Sequence, residues 1–480
     1  MKTIVTEVKE TTDFRNTLGV IEKDGSRSWV FAKKPKGKFY NYRTYLSWFL
    51  ISFLVLAPTP LMNVDGNQFL MFNLFTREFL IFSIPFFPQD FYLFAIGTVI
   101  SMIFIILFTV VYGRIFCGWI CPQTIFLEML FRKIEYAIDG DRGAQKKLSL
   151  QPWNEEKIKK RALKWSIYLL LSFLIANVFL AYLVSWEVLI KYISDGPVAH
   201  LTTFMGVSFF TGAFYFVFTW FREQACTIVC PYGRLQGALT DNKTIQVSYD
   251  YKRGEAINGR AKFSKEDNRK ENGIGDCIDC KQCVVVCPTG IDIRNGNQLE
   301  CVGCTACIDA CDDVMDKVGF PKGLIRYASE HEIITGEKWK LTPKVVFITI
   351  GLVLLSTIWS SFLFFRSDVN SKFLKIPGTT YTKDEVGNIV NTYQYSLINK
   401  TSRNIKLHLK LISHKGKIQV EGAKNNLQLL RGKQLRGVVK VIIPSKEVND
   451  LKEDVTIGVF NNKDKLIESY VTSFMGPFKL

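Results

Sequence analysis

Twelve cysteines carry the chemistry in this 480-residue chain. They form four groups: Cys117 and Cys121; Cys226 and Cys230; Cys277, Cys280, Cys283 and Cys287; and Cys301, Cys304, Cys307 and Cys311. Each of the last two groups reads Cys-x-x-Cys-x-x-Cys-x-x-x-Cys. With that spacing a tight turn offers three thiolates to a [4Fe–4S] cubane, and the fourth cysteine serves a second cluster. The expected ligand sets are Cys277, Cys280, Cys283 and Cys311 for one cluster, and Cys301, Cys304, Cys307 and Cys287 for the other. Structural zinc also accepts Cys-x-x-Cys turns, but two complete four-cysteine runs this close together favour iron–sulfur clusters. Two clusters suit an electron relay, because a structural role needs only one. The second run ends Cys311-Asp312, not Cys-Pro; the proline supplies no ligand, so cluster assembly does not depend on it.

The other four cysteines repeat one motif. Cys117-Gly118-Trp119-Ile120-Cys121-Pro122 and Cys226-Thr227-Ile228-Val229-Cys230-Pro231 each follow a long apolar stretch. Residues i and i+4 share a helix face, so each pair is expected to present two sulfurs to one ion, with the proline ending or kinking the helix. Soft thiolates suit Cu(I) or a dithiol/disulfide couple, and spacing does not choose between them. Arg114, Arg222 and Arg234 are placed to lower the thiol pKa values. Inert buried thiols are the plainer alternative; the repetition of spacing and context argues for function. The four histidines, His200, His331, His408 and His414, form no facing pair for an intramembrane haem. Sites for flavin or nicotinamide are not visible, which leaves another protein or a quinol as the unidentified electron donor.

The elements that must position these groups are membrane helices. Hydrophobic residues make up 48% of the chain, with 38 Phe, and they are clumped. Residues 43–62, 91–112, 163–185, 200–221 and 343–365 each approach the roughly 20 residues that cross a bilayer core, so five spans are expected. The net charge of +17 follows membrane topology rather than nucleic-acid binding. Lys33, Lys34, Lys36, Lys38 and Arg43 stand at the edge of the first span. Arg132, Lys133, Arg142, Lys146, Lys147, Lys157, Lys159, Lys160 and Arg161 follow the second. The loops after the first and third spans hold only Arg77 and Lys191. Excess Lys and Arg marks the cytoplasmic side, which puts the N-terminus and all four cysteine groups inside and the C-terminal region outside. More than 40 mostly polar residues precede the first span, so no cleavable signal peptide is expected. The outer loops and the region from Arg366 onward contain no cysteine, the opposite of a disulfide-stapled exported protein.

The expected fold class is membrane α-helical, with five transmembrane helices, a ferredoxin-like two-cluster α+β insert and a C-terminal all-β immunoglobulin-like sandwich. The layout reads 1–42 as an inner tail, 43–222 as four spans with a basic loop, 223–342 as the insert, 343–365 as the fifth span and 366–480 as the sandwich. Strand patterns at 389–398, 405–412, 437–443 and 455–460, separated by turn residues, support the sandwich, and its lack of a catalytic constellation points to docking. Ile125–Ile138 has helical apolar spacing and reads equally as a helix on the inner membrane surface or as a linker.

Together these motifs resemble the FixG/CcoG family of cytochrome oxidase accessory proteins. The resemblance extends to Arg222-Glu223-Gln224 before Cys226 and to Gly290-Ile291-Asp292-Ile293-Arg294 after the first run. It implies a bacterial inner-membrane protein that assists assembly of a cbb-type oxidase, working with copper-delivery proteins and reducing Cu(II) to Cu(I). In that reading Cys117, Cys121, Cys226 and Cys230 are the copper-binding or thiol-redox residues. NapH/NosR-type electron-transfer subunits pair the same motifs and provide the alternative, and a non-catalytic assembly scaffold is a third.

Overall fold

The computed structural model describes residues 29–477 apart from residues 65, 76–77, 87–89, 265–267, 270, 338–339, 365–366, 379, 402–403, 423–426, 431–433 and 449. Arg77, Arg366 and most of the expected inner tail lie outside the described residues. The chain divides into two compact units. One takes in the described residues through Val55, Thr98–Leu180 and Lys191–Ser356; the other takes in Leu56–Gly97, Ala181–Ile190 and the chain from Thr357 onward.

All twelve cysteines belong to the first unit. Its helices include α1 (Lys38–Leu56), α2 (Phe91–Tyr112, entering from the second unit), α3 (Ile115–Trp119), α4 (Pro122–Ile125), α5 (Arg132–Ile138), α6 (Glu155–Val184) and α7 (Leu201–Phe216). Then come α8 (Pro231–Leu239), α9 (Gln282–Val285), α10 (Ala306–Val318) and α11 (Pro343–Phe364). Four helices among the described residues are long and apolar enough to cross a membrane: Phe91–Tyr112, Glu155–Val184, Leu201–Phe221 and Pro343–Phe364. Side chains such as Met102, Leu170, Phe209 and Ile350 stand exposed on them, as lipid-facing residues do. The expected first span differs. Its helix starts five residues earlier, opens with Lys38, Tyr40, Asn41, Arg43 and Thr44, and gives way to a 3₁₀ turn at Pro60–Met62. Its polar first turns account for its absence from the group of four.

Ile125–Ile138 is neither a surface helix nor a linker. A π-helical turn, Phe126–Phe131, joins α4 to α5, and Leu127 and Phe131 form a buried cluster with Tyr168 of α6 and Phe218 of the π-helical turn Val217–Phe221 that follows α7. The stacked rings of Phe131 and Phe218 lie 4.8 Å apart.

Between Thr240 and Thr342, strand Gln246–Tyr249 pairs antiparallel with Ile325–Ala328. Helices α9 and α10 pack beside them around Val247, Ile293, Ile308, Met315 and Ile325.

In the second unit two antiparallel sheets form the β region. One orders Lys417–Val420, Gln434–Ile443, Ile389–Asn399 and Val369–Lys375, with Thr382–Lys383 also on Ile389–Asn399; the other orders Leu427–Leu429, Ile405–Leu411, Lys452–Asn461 and Leu466–Met475. Alternate residues such as Tyr393, Leu397, Leu409, Val441, Ile457 and Phe474 point into one shared core, as the period-2 pattern of strands requires. The same unit holds a three-stranded meander at Leu70–Phe86 that no sequence pattern announced. Lys400 and Asp90, both buried, form a 2.7 Å ion pair within it.

Candidate electron-transfer site

The two four-cysteine runs share one backbone course. In the first, Asp279 and Lys281 flank Cys280 with φ of 51° and 55°; in the second, Gly303 and Thr305 flank Cys304 with φ of 66° and 65°. Three of these four residues carry a side chain, and left-handed conformations persist in such residues only where surrounding contacts enforce them. Each run so turned then enters a helix, α9 or α10. Arg294 fixes the first turn. Its guanidinium binds Asp279 and, at 2.6 Å, Asp292, which explains why Asp292-Ile293-Arg294 accompanies the cysteines in the sequence. Asp312, in the place of a proline, accepts a 2.9 Å hydrogen bond from the Gly323 amide and so closes the turn after α10.

These turns bring the fourth cysteines across. Cys287, Cys301, Cys304 and Cys307 line one cavity together with Cys283, Pro288, Thr289 and Val302. Cys311 lies within electrostatic reach of Cys277, Cys280 and Cys283. The donor sets are all thiol, and their surroundings are apolar and largely buried, with Cys280 alone of the eight exposed. Such residues fit [4Fe–4S] clusters. Among the described residues, no three Cys, His, Asp or Glu side chains close around a point as the ligands of a single ion would.

The Cys-x-x-x-Cys-Pro pairs also meet. Cys226 lies within electrostatic reach of Cys117, Cys121 and Cys230, and Cys117 within reach of Cys121 and Cys230. The expectation of two sulfurs on one helix face needs correction. Helix α3 ends at Trp119, and Cys121 is the N-cap of α4 with Pro122 in the first helical position; Cys230 likewise caps α8 ahead of Pro231. The proline pushes the preceding residue out of helical conformation, giving φ and ψ of −59° and 123° at Cys121 and −64° and 113° at Cys230. The loops close alike: the Cys121 amide donates to the Phe116 carbonyl at 3.0 Å and the Cys230 amide to Ala225 at 2.9 Å. The prolines therefore end the helices, as expected, but the two sulfurs of a pair belong to consecutive helices.

Burial outweighs the nearby arginines: Arg114 does act to lower Cys117, but the net shift is upward. Burial pushes Cys117 up to about 11 and Cys226 up to about 12, against the expected lowering. Arg222 is turned to Glu135 at 2.9 Å, Arg234 to the Ile228 carbonyl, and Arg114 to the carbonyls of Leu299 and Gly233. Buried Gln236 on α8 holds its side-chain amide 3.4–3.5 Å from Cys117 Sγ.

The two halves of the site touch. Cys117 and Cys226 pack in one apolar cluster with Val302, Cys304, Val286 and Ala306. At Gly118 a Cβ would meet the carbonyl oxygens of Val302 and Gly303 at 2.7 Å, and at Gly303 a Cβ would meet the Arg114 carbonyl at 2.9 Å. Only glycines permit so close a backbone approach. Arg43, one of the largest fully buried side chains, donates from Nε to the Gly118 carbonyl at 2.7 Å, and its charge reaches Cys304.

A buried ionic network supports the assembly. Arg132 pairs with Glu128 at 2.6 Å and Glu223 at 3.6 Å, and Lys164 binds Glu135 and Asp139. Arg132 also donates to the carbonyl of Pro288, next to Cys287. Arg222 and Glu223, just ahead of Cys226, are both members. From the sequence Arg132 and Glu135 read as the polar side of a helix and Glu128 carried no signal of its own, although carboxylates inside an apolar helix point to buried partners.

Comparison with known proteins agrees with this geometry. Residues 221–330 match a 4Fe-4S dicluster domain, residues 94–139 a 4Fe-4S binding domain, and residues 359–477 the IG-like fold at the C-terminus of FixG. The chain is 33% identical to protein RdxA of Cereibacter sphaeroides over 88% of its own length and 91% of that protein. It is 34% identical to RdxB of the same organism, over 78% and 80%. It is 36% identical to nitrogen fixation protein FixG of Rhizobium meliloti, over 63% and 57%.

Proposed function

The chain belongs to the FixG family of iron–sulfur electron-transfer proteins, and from that premise we propose that it is a membrane-bound reductase delivering single electrons to Cu(II) and releasing Cu(I) for assembly of a cbb-type cytochrome c oxidase. Cys277, Cys280, Cys283 and Cys311 hold one [4Fe–4S] cluster, and Cys301, Cys304, Cys307 and Cys287 the other. Bound there, the clusters supply reversible one-electron chemistry. The residues of the chain do the rest. Arg294 and Asp292 fix the first turn, Gly303 admits α3 against the second, and Arg43 brings a buried positive charge to Cys304. Cys117, Cys121, Cys226 and Cys230 form the station at which copper, the substrate, takes its electron.

One observation carries this reading: Cys117 and Cys226 pack directly against Cys304 and Val302, so the membrane-edge thiols adjoin a cluster ligand. In the proposed orientation the N-terminus and clusters are cytoplasmic, in a bacterial inner membrane, and the sandwich is periplasmic, where copper-delivery and oxidase-assembly proteins dock on it.

A Cys304→Ser strain with wild-type levels of inserted protein tests the reading. Loss of cbb-type oxidase activity to the level of a deletion strain is expected. Normal oxidase maturation in that strain would leave only a scaffold role.

A further inference from the structure

Residues 94–139 match a 4Fe-4S binding domain, yet they contain only two cysteines, Cys117 and Cys121. Two thiolates cannot fill the four corners of a cubane. The structure supplies the missing pair. Cys226 and Cys230 come from another part of the chain; Cys226 packs with Cys117 in one apolar cluster, and both stand within electrostatic reach of the first pair. The two half-sites are copies of one device: a loop closed by the amide of the second cysteine onto the residue preceding the first, then a capping cysteine, then a proline opening a helix. Such π-type closures recur where a helix is reshaped around a functional group. All four donors are sulfur, as cubane iron requires.

We infer that Cys117, Cys121, Cys226 and Cys230 together hold a third [4Fe–4S] cluster, beside the Cys304 edge of the second cluster's pocket. Each half-site contributes two ligands. The site is intermediate in exposure, and Ile120 and Val229 beside it are exposed, so a small acceptor can approach it. The inference deepens the proposed function by naming what occupies the electron-exit station. It does not depend on copper being the acceptor.

The test counts iron and acid-labile sulfide in full-length protein, purified anaerobically and reconstituted with iron and sulfide. Three clusters give about twelve irons per chain and two give about eight. About twelve are expected in the wild type. Cys117→Ser/Cys121→Ser and Cys226→Ser/Cys230→Ser are each expected to lose about four irons, the same four, while the Mössbauer and EPR signals of the insert remain. About eight irons in the wild type would overturn the inference, as would twelve irons untouched by either variant. So would eight irons with one copper bound per chain that both variants lose. Because the readout is iron, failure of copper reduction leaves it standing, and its own failure leaves copper reduction to be judged separately.

Discussion

Arg43 Nε donates a 2.7 Å hydrogen bond to the carbonyl of Gly118, the residue following Cys117. This bond ties α1 to α3 between the two cysteines of a half-site and brings a buried cation within reach of Cys304. Its Nη2 has no hydrogen-bond partner among the described residues. A positive charge favours the more negative, reduced state of a neighbouring cluster. Arg43→Met is therefore expected to lower the midpoint potential of one of the insert's clusters by roughly 60 mV, a tenfold change for one electron, while Arg43→Lys retains most of it. Potentiometric EPR titration of both variants reads the shift; equal potentials would show that Arg43 only positions the backbone.

Gly118 packs against Val302 and Gly303 with no room for a methyl group. Gly118→Ala should cost about 1–3 kcal/mol, as overpacking does, and should weaken cluster retention. Gly143, with nothing within 4 Å of a built Cβ and inside a helix, provides the control. Gly143→Ala is expected to leave stability equal or slightly raised. Thermal melts in detergent, followed at the cluster absorption, separate the two.

Glu135 gives a pH prediction. Burial alone raises its carboxyl, but Arg222, Lys164 and Arg132 outweigh burial and hold it at about 2, below the ordinary carboxylate value near 4.3. The folded value is depressed, so the group's stabilisation is complete above the unfolded value and drains away as pH falls towards the folded one. Stability measured by melting should thus be insensitive to this group from pH 7 to about 5 and decline below that. Glu135→Gln should cost about 3–5 kcal/mol at neutral pH, because it leaves buried cations uncompensated, and should flatten that acid decline.

The exchange of fourth ligands separates two variants. Cys311→Ser is expected to remove the signal of the cluster held by Cys277, Cys280 and Cys283, and Cys287→Ser that of its neighbour. EPR of the reduced proteins reads each loss. If Cys287→Ser instead disturbed the same signal as Cys277→Ser, the assignment would be reversed.

Much of this was legible in the sequence because local spacing carried it. The inner turns follow from Cys-x-x-Cys, and the core of the sandwich follows from alternation in strands such as Ile389–Asn399. The same was true of four apolar helices, where length and composition suffice. The rest depends on contacts between distant segments. Nothing near Gly118 reveals that Gly303 will lie against it. Arg132 looks like any loop cation until Glu128 and Glu223 surround it. The half-sites were found as motifs, but their helical-face geometry was misjudged because Pro122 and Pro231 act on the cysteine before them rather than after.

The proposed exit of electrons to copper runs through Cys117, Cys121, Cys226 and Cys230. The most direct measurement is anaerobic: reduce the full-length protein, add Cu(II), and follow cluster reoxidation together with Cu(I) captured by a chelator. Wild type should form Cu(I) in step with cluster oxidation, and Cys117→Ser/Cys121→Ser should slow it at least tenfold (about 1.4 kcal/mol in barrier) while the insert's clusters stay intact. Equal rates in the two proteins would contradict the claim and would move the function to a quinol-linked relay.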